Sequence, residues 1–156
     1  MNHILAISDA ASLELHATML LARSPANELV STHALADELE VSEAHLSKVL
    51  HQLLRAGLLW ARRGPRGGFR LGRSPEDITL LDVFEVIEGP LPTTHCLLGR
   101  PRCDGQSCVL GGLLETIQET VRSYLSSTRL SRFRDGRPSF TSGAALHLLP
   151  SMEVSL

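Results

Sequence analysis

Residues 42–73, SEAHLSKVLHQLLRAGLLWARRGPRGGFRLGR, decide the fold. Leu46, Val49, Leu50, Leu53 and Leu54 recur at the 3–4 spacing that turns one face of a helix inward. Ser42 stands where an N-cap belongs, since its hydroxyl can accept an orphan N–H of the first turn. Gly57 stands where a left-handed residue stops a helix without a Cβ penalty. His45, Lys48, His51, Gln52 and Arg55 are left on the polar face. Leu58, Leu59 and Trp60 then read as a strand, Gly64-Pro65-Arg66-Gly67-Gly68 as a tight tip, and Phe69-Arg70-Leu71 as the returning strand. From Lys48 to Arg73 there are seven Lys or Arg residues and no acid. A short helix, a second helix and a basic hairpin make the layout of a winged helix-turn-helix, and DNA is the first partner to consider.

Upstream, residues 8–23 form a helical segment with Leu13, Ala17, Leu20 and Leu21 on one face. Ser24-Pro25 ends it, because the residue before a proline is pushed out of the helical region. Ser31 caps a short helix, THALADEL, with Leu35 and Leu39 inward. Glu40-Val41-Ser42 is the turn into the next helix, with Val41 plugging the angle. An ordinary helical hairpin would show the same local pattern. The wing argues against it: Arg62, Arg63 and Arg66 project from a thin glycine-rich tip suited to a narrow minor groove, where negative potential concentrates. Each arginine taken singly is equally compatible with a solvated loop.

Downstream, TLLDVFEVIE (79–88) is an amphipathic helix with Thr79 and Asp82 placed as a capping box and Gly89-Pro90 as its stop. The segment that follows has no periodicity and carries all three cysteines, Cys96, Cys103 and Cys108. From Val109 to about Phe133 a long helix is expected, striped by Leu110, Leu113, Leu114, Ile117, Val121, Tyr124 and Leu125. That stripe exceeds what so small a domain covers readily, which points to dimerisation, with packing inside the monomer as the alternative. The organisation expected is a DNA-binding domain over 1–78, a linker helix, cysteine loop and dimerisation helix over 79–134, and a loosely ordered tail over 135–156. The fold class is mainly α with a small β-wing: a winged helix-turn-helix domain plus a long dimerisation helix.

The formal charge of −2 over 156 residues does not announce a nucleic-acid binder. Its placement does, since charges act only within about a Debye length of 8–10 Å. Lys48 is the sole lysine and opens the basic stretch, whereas Glu76, Asp77, Asp82, Glu85 and Glu88 reverse the sign beyond Arg73. The start, MNHILAIS, has no basic segment leading a long apolar run, and nothing resembles a membrane span, so a soluble cytoplasmic protein is expected. No phosphate-binding loop, nucleophile elbow or paired-carboxylate pattern supports an enzyme.

An odd number of cysteines in such a compartment favours metal or redox chemistry over structural disulfides. Thiolates suit iron–sulfur clusters or zinc, and three of them need a nitrogen or oxygen donor to complete a site. His95 is a local candidate. A zinc site would ordinarily show paired CxxC-like spacings, which are missing here. A metal-free thiol–disulfide switch stays open, as does a regulator whose cysteine loop is structural and whose long helix docks another protein.

The pieces ISDAASLELHATMLLA, LADELEVSEAHLSKVLHQLLRAGLL, RRGPRGGFRLGRSPEDITLLDVFEVIEG and the cysteine loop resemble the Rrf2-type winged-helix transcription regulators over about residues 4–133. Iron–sulfur members of that family sense cluster status, nitric oxide or redox state. The resemblance implies a homodimer built on the long helix, a pseudo-palindromic duplex DNA operator, and a [4Fe-4S] or [2Fe-2S] cluster held by Cys96, Cys103 and Cys108 near the dimer interface. Family members often carry tyrosine where this chain has His45, and the cysteine spacing here differs slightly from the commoner ones. The histidine some members use three residues after the third cysteine is Gly111 here. Others take a carboxylate from the first helix of the partner subunit, where the family register places Ser12 with Asp9 and Glu14 flanking it; Asp9 is the preferred fourth ligand. For DNA, Ser42 and the helix N-terminus should meet a phosphate. Ser47 and Lys48 should reach base edges, with His45 and Gln52 as secondary contacts and Arg62, Arg63 and Arg66 on the wing.

Overall fold

Helix α1 (Asp9–Arg23) is the element the others pack around. Ser8 caps it through a hydroxyl that accepts the Ala11 N–H at 3.1 Å. Its inward residues Leu13, Ala17 and Leu21 are buried as their spacing predicts, while Leu20 is only half-buried. This computed structural model describes residues 7–91, 110 and 112–134. The expectation of a loosely ordered tail over 135–156 lies outside the described residues, as do Cys96, Cys103, Cys108 and His95.

The helix-turn-helix forms as its caps dictate. Ser31 caps α2 (Thr32–Glu38) by accepting the Ala34 N–H, and Ser42 caps α3 (Glu43–Arg55) by accepting the His45 N–H at 3.3 Å. Glu40 turns the chain between them in the left-handed region, φ 54°. Val41 packs half-buried against the core beside Leu39, filling the angle. Helix α3 sinks Leu46, Val49, Leu50 and Leu53 completely, and Leu54 sits at the margin. It ends in a Schellman arrangement: Gly57, φ 75°, donates to the Leu54 carbonyl, and Leu58 donates to that of Leu53 at 3.0 Å.

Strands β1 (Leu59–Arg62) and β2 (Gly68–Leu71) pair antiparallel, with Leu59 opposite Leu71 and Trp60 opposite Arg70. The first strand thus begins one residue later than expected and runs on to Arg62. A third backbone segment lies beside them, a pairing that local periodicity does not signal. Val30 and Phe69 exchange N–H···O bonds of 3.0 and 2.8 Å, docking the wing on the segment that leads into α2. The approach is so close that a Cβ on Gly68 would lie 2.5 Å from the Val30 carbonyl oxygen.

Helix α4 (Leu80–Glu88) carries the expected capping box in full: the Asp82 carboxylate accepts the Thr79 N–H at 2.8 Å, and the Thr79 hydroxyl accepts the Asp82 N–H at 3.1 Å. The long helix requires correction. Helix α5 spans Leu113–Ser127, not Val109 to Phe133. Thr128 leaves the helix in extended conformation, its carbonyl accepts the Leu80 N–H, and Leu130 donates to the Ile78 carbonyl at 2.9 Å. This detour places Leu130 and Phe133 in the same core as Leu13, Leu50 and Ile78. Continuing the helix would have kept those two side chains out of that core; full burial of each is worth roughly 1.5–3 kcal/mol.

Candidate nucleic-acid interface

The caps and the buried face of α3 determine which of its side chains are left for a partner. With Leu46, Val49, Leu50 and Leu53 inward, His45, Lys48 and His51 are exposed, and Ser47 and Gln52 are half-buried beside them. Ser42 is exposed; its oxygen accepts the His45 N–H and leaves its O–H to donate, so a phosphate at this end would meet that hydroxyl together with the remaining backbone N–H groups. The Lys48 ammonium has no hydrogen bond or ion pair among the described residues. The polar face of α3 reaches the wing through His51, whose ring stands nearly perpendicular to that of Phe69 with centroids 6.2 Å apart.

The wing separates its three arginines into two kinds. Arg62 folds back and donates from Nη2 to the Arg66 carbonyl at 3.1 Å, bracing the tip. The Arg63 and Arg66 guanidinium groups are exposed and carry no ion pair among the described residues. Gly67 closes the turn with an N–H donated to the Gly64 carbonyl at 2.8 Å, and a Cβ there would lie 2.2 Å from the Arg62 carbonyl oxygen. Only glycine fits such an approach. On the outer face Arg70 stacks over the Trp60 ring at 4.6 Å, a cross-strand pair that stiffens the hairpin and that alternation along the two strands could have revealed.

Two further groups sit in arrangements that the sequence pattern does not show, one of them the Glu14 that flanks the expected ligand position. His33, near the start of α2, lies with Nδ1 2.8 Å from Glu43 Oε1 and Nε2 3.4 Å from Asp37 Oδ2. Its hydrogen bond to Glu43, then the charges of Asp37 and Glu43, hold its pKa above the ordinary histidine value. The Asp37 pairing follows i,i+4 spacing and was legible; the Glu43 pairing joins two helices and was not. Glu14 is fully buried on α1, with no hydrogen-bond partner for either carboxylate oxygen among the described residues. Burial first, and then the charge of Glu88, push its pKa up to about 8. Its place in the series Glu14, Ala17, Thr18 and Leu21 was the available signal.

Asp9 is exposed in the first turn of α1 and lines an open groove with Ser12, His16, Leu39, Val41 and His45. The structure thus brings Asp9, the carboxylate expected as a ligand, and His45, expected to face DNA, to a single groove. Among the described residues no group of three or more His, Cys, Asp or Glu is placed to hold a metal ion. None of the described helices is long and apolar enough to cross a membrane.

Residues 7–135 match the family model Rrf2, described as an iron-dependent transcriptional regulator. The chain is 32% identical over 114 residues to the HTH-type transcriptional regulator NsrR of Bacillus licheniformis, covering 71% of this chain and 77% of that one. It is 32% identical over 116 residues to the HTH-type transcriptional regulator IscR of Cereibacter sphaeroides, covering 72% and 75% respectively. Among solved structures, CymR (YrzC), the global cysteine regulator of B. subtilis, superposes with a TM-score of 0.73 at 28% identity, covering 86% of this chain and 99% of that one.

Proposed function

Because this chain belongs to the Rrf2 family of DNA-binding transcriptional regulators, we propose that it is a cytoplasmic homodimer that reads a pseudo-palindromic operator and senses redox, nitric oxide or iron–sulfur status. It is a regulator and not an enzyme, as its relatives are. The observation that carries the DNA reading is the set of unpaired cations, Lys48 on α3 and Arg63 and Arg66 on the wing, exposed on one helix and the hairpin it touches. Lys48 and Ser47 reach base edges, with His45 and Gln52 beside them; backbone N–H groups at Ser42 meet a phosphate; Arg63 and Arg66, braced by Arg62, enter the minor groove. Residues 1–78 act as the reading head and 79–134 as the sensing and pairing unit.

The sensing site in this reading is an iron–sulfur cluster on Cys96, Cys103 and Cys108. Asp9 fits as the remaining donor: its carboxylate is exposed and unpaired among the described residues, open to a thiolate set brought by a second copy. When bound, the cluster supplies redox chemistry at iron, and an oxygen ligand leaves one iron more open to attack than a fourth thiolate would. Pairing through α5 is supported by its uncovered stripe, where Leu113 is 49% and Tyr124 46% exposed. The half-site spacing set by such a dimer must match the turn of DNA, so a small shift at the cysteine loop is enough to lower affinity.

Anaerobically purified protein should be brown, lose its visible absorbance in the triple Cys-to-Ser variant, and change its affinity for duplex DNA when the cluster is removed. Colourless protein carrying stoichiometric zinc, or a thiol-dependent change in DNA binding without iron, would replace the cluster by a zinc site or a thiol switch on the same fold. DNA binding indifferent to both metal and thiol state would leave control to a docked partner protein.

A further inference from the structure

His33 sits between two carboxylates on two different helices, 2.8 Å from Glu43 and 3.4 Å from Asp37. Carboxylates only accept, so holding both requires an N–H on each ring nitrogen. A neutral imidazole has one, and only the imidazolium has two. The place of this arrangement gives it significance. In a helix-turn-helix the first helix crosses the DNA backbone while the N-terminal residues of the second reach base edges. His33 is the second residue of α2 and Glu43 the first of α3. Both side chains are well exposed, as is that of Asp37.

We propose that His33 is a positioning residue for DNA binding: as imidazolium it ties the start of α2 to the start of the recognition helix and offsets Glu43 and Asp37 where phosphates must approach. The inference rests on α3 being the recognition helix. The group facing His33 from its own helix is Asp37, and the group facing it from α3 is Glu43. Neutral His33 leaves two negative charges uncompensated, Asp37 in the last turn of α2 and Glu43 at the N-terminus of α3. The neutral ring can keep its one N–H on Nδ1 for Glu43, so the bond between the helices persists but loses its charge assistance, while the Asp37 pairing loses its donor.

The sign follows from the direction of the shift. The histidine pKa is raised in the folded protein, so the charge-assisted tie is complete below the ordinary histidine value near 6.5 and is lost as pH rises through the higher folded value. DNA affinity should therefore fall with rising pH.

The test is fluorescence anisotropy of the full-length protein, as purified, on a labelled random-sequence duplex of about 25 base pairs at low, fixed ionic strength, where phosphate contacts dominate. From pH 6 to 8.5 the wild type should lose about three- to tenfold in affinity, comparable to the loss of about one phosphate-neutralising charge. His33→Gln should bind weakly throughout with a flattened profile, and His33→Arg, permanently charged, should keep the low-pH affinity up to pH 8.5. Lys48→Ala is the reference for the recognition helix itself. If His33→Gln reproduces the wild-type profile while Lys48→Ala weakens binding, this inference fails and the recognition helix stands. If neither substitution alters binding, α3 is not the recognition helix and both readings fall. Thermal melting of each variant at pH 6 and 8.5 separates a binding effect from unfolding: a profile that merely tracks the folded fraction overturns the proposal.

Discussion

The backbone N–H of Leu80 donates to the carbonyl of Thr128 at 2.8 Å, and this bond marks where the chain abandons helix α5 to rejoin the winged-helix core. Its consequence is that Leu130, fully buried, and Phe133 are core residues lying beyond the cysteine loop in sequence. The C-terminal end of α5 is thereby tied to the start of α4.

Leu130→Ala should accordingly destabilise the whole domain, by about 2–5 kcal/mol for a buried leucine truncated in a packed core. Urea unfolding followed by circular dichroism would measure it. A loss under about 0.5 kcal/mol, the range of a surface substitution, would show that residues 128–133 do not belong to the core.

At the wing, binding and folding should respond to different substitutions, with Gly67→Ala acting on folding, read by urea unfolding. The added Cβ meets the Arg62 carbonyl oxygen at 2.2 Å, so the tip must open and Arg62 must release the Arg66 carbonyl. The expected cost is about 1–3 kcal/mol of stability for overpacking a tight site. Arg66→Ala should leave stability unchanged and lower the salt dependence of DNA binding by about one unit of slope. Lys48→Ala should weaken binding to a selected operator by about 1–3 kcal/mol and relax its sequence preference. Operator affinity and preference both unchanged in Lys48→Ala would mean that another face of α3 meets the bases.

Glu14 gives the protein an alkaline weakness. The folded state holds the Glu14 proton up to about pH 8, against an ordinary carboxylate value of 4.5, because burial and then Glu88 oppose the charge. The folded state therefore binds more protons than the unfolded state between those limits, and this group's contribution to stability falls as pH rises through that window. Below it the contribution is complete, and above it the loss levels off. Glu14→Leu should remove the slope and raise stability near pH 8.5 by about 1–3 kcal/mol, the usual penalty of an unsatisfied buried polar group. Melting curves from pH 5 to 9 on both proteins provide the comparison, and parallel curves would place the Glu14 carboxylate in contact with water.

The apolar stripe of α5 predicts its own cover. Leu113 and Tyr124 stand about three turns apart on one face of that helix and are about half exposed. Leu113→Glu combined with Tyr124→Glu should convert a dimer into a monomer in sedimentation velocity, with little change in melting temperature at concentrations where the wild type is already monomeric. A stable dimer of the double variant would place the interface elsewhere.

Much of this molecule was decided locally and could be read without its coordinates. Ser31, Ser42 and Thr79 cap helices because a short hydroxyl side chain reaches an N–H three residues on. Gly57 ends α3 because a left-handed residue is needed there, and the inward face of α3 follows from helical period alone. Chemical type and spacing carry such signals within a few residues. The basic stretch from Lys48 to Arg73 likewise pointed to DNA before any contact was known. What only the tertiary structure decided involves partners far apart in the chain: Val30 beside Phe69, Leu80 on Thr128, His33 on Glu43, and Glu14 sealed in the core near Glu88. The end of α5 belongs to this second class, since its apolar stripe permits more helix than forms and the choice falls to the core that Leu130 and Phe133 join. Periodicity states which side of a helix is apolar; which surface covers it, and what charge is trapped beneath, depends on elements that meet only when the chain has folded.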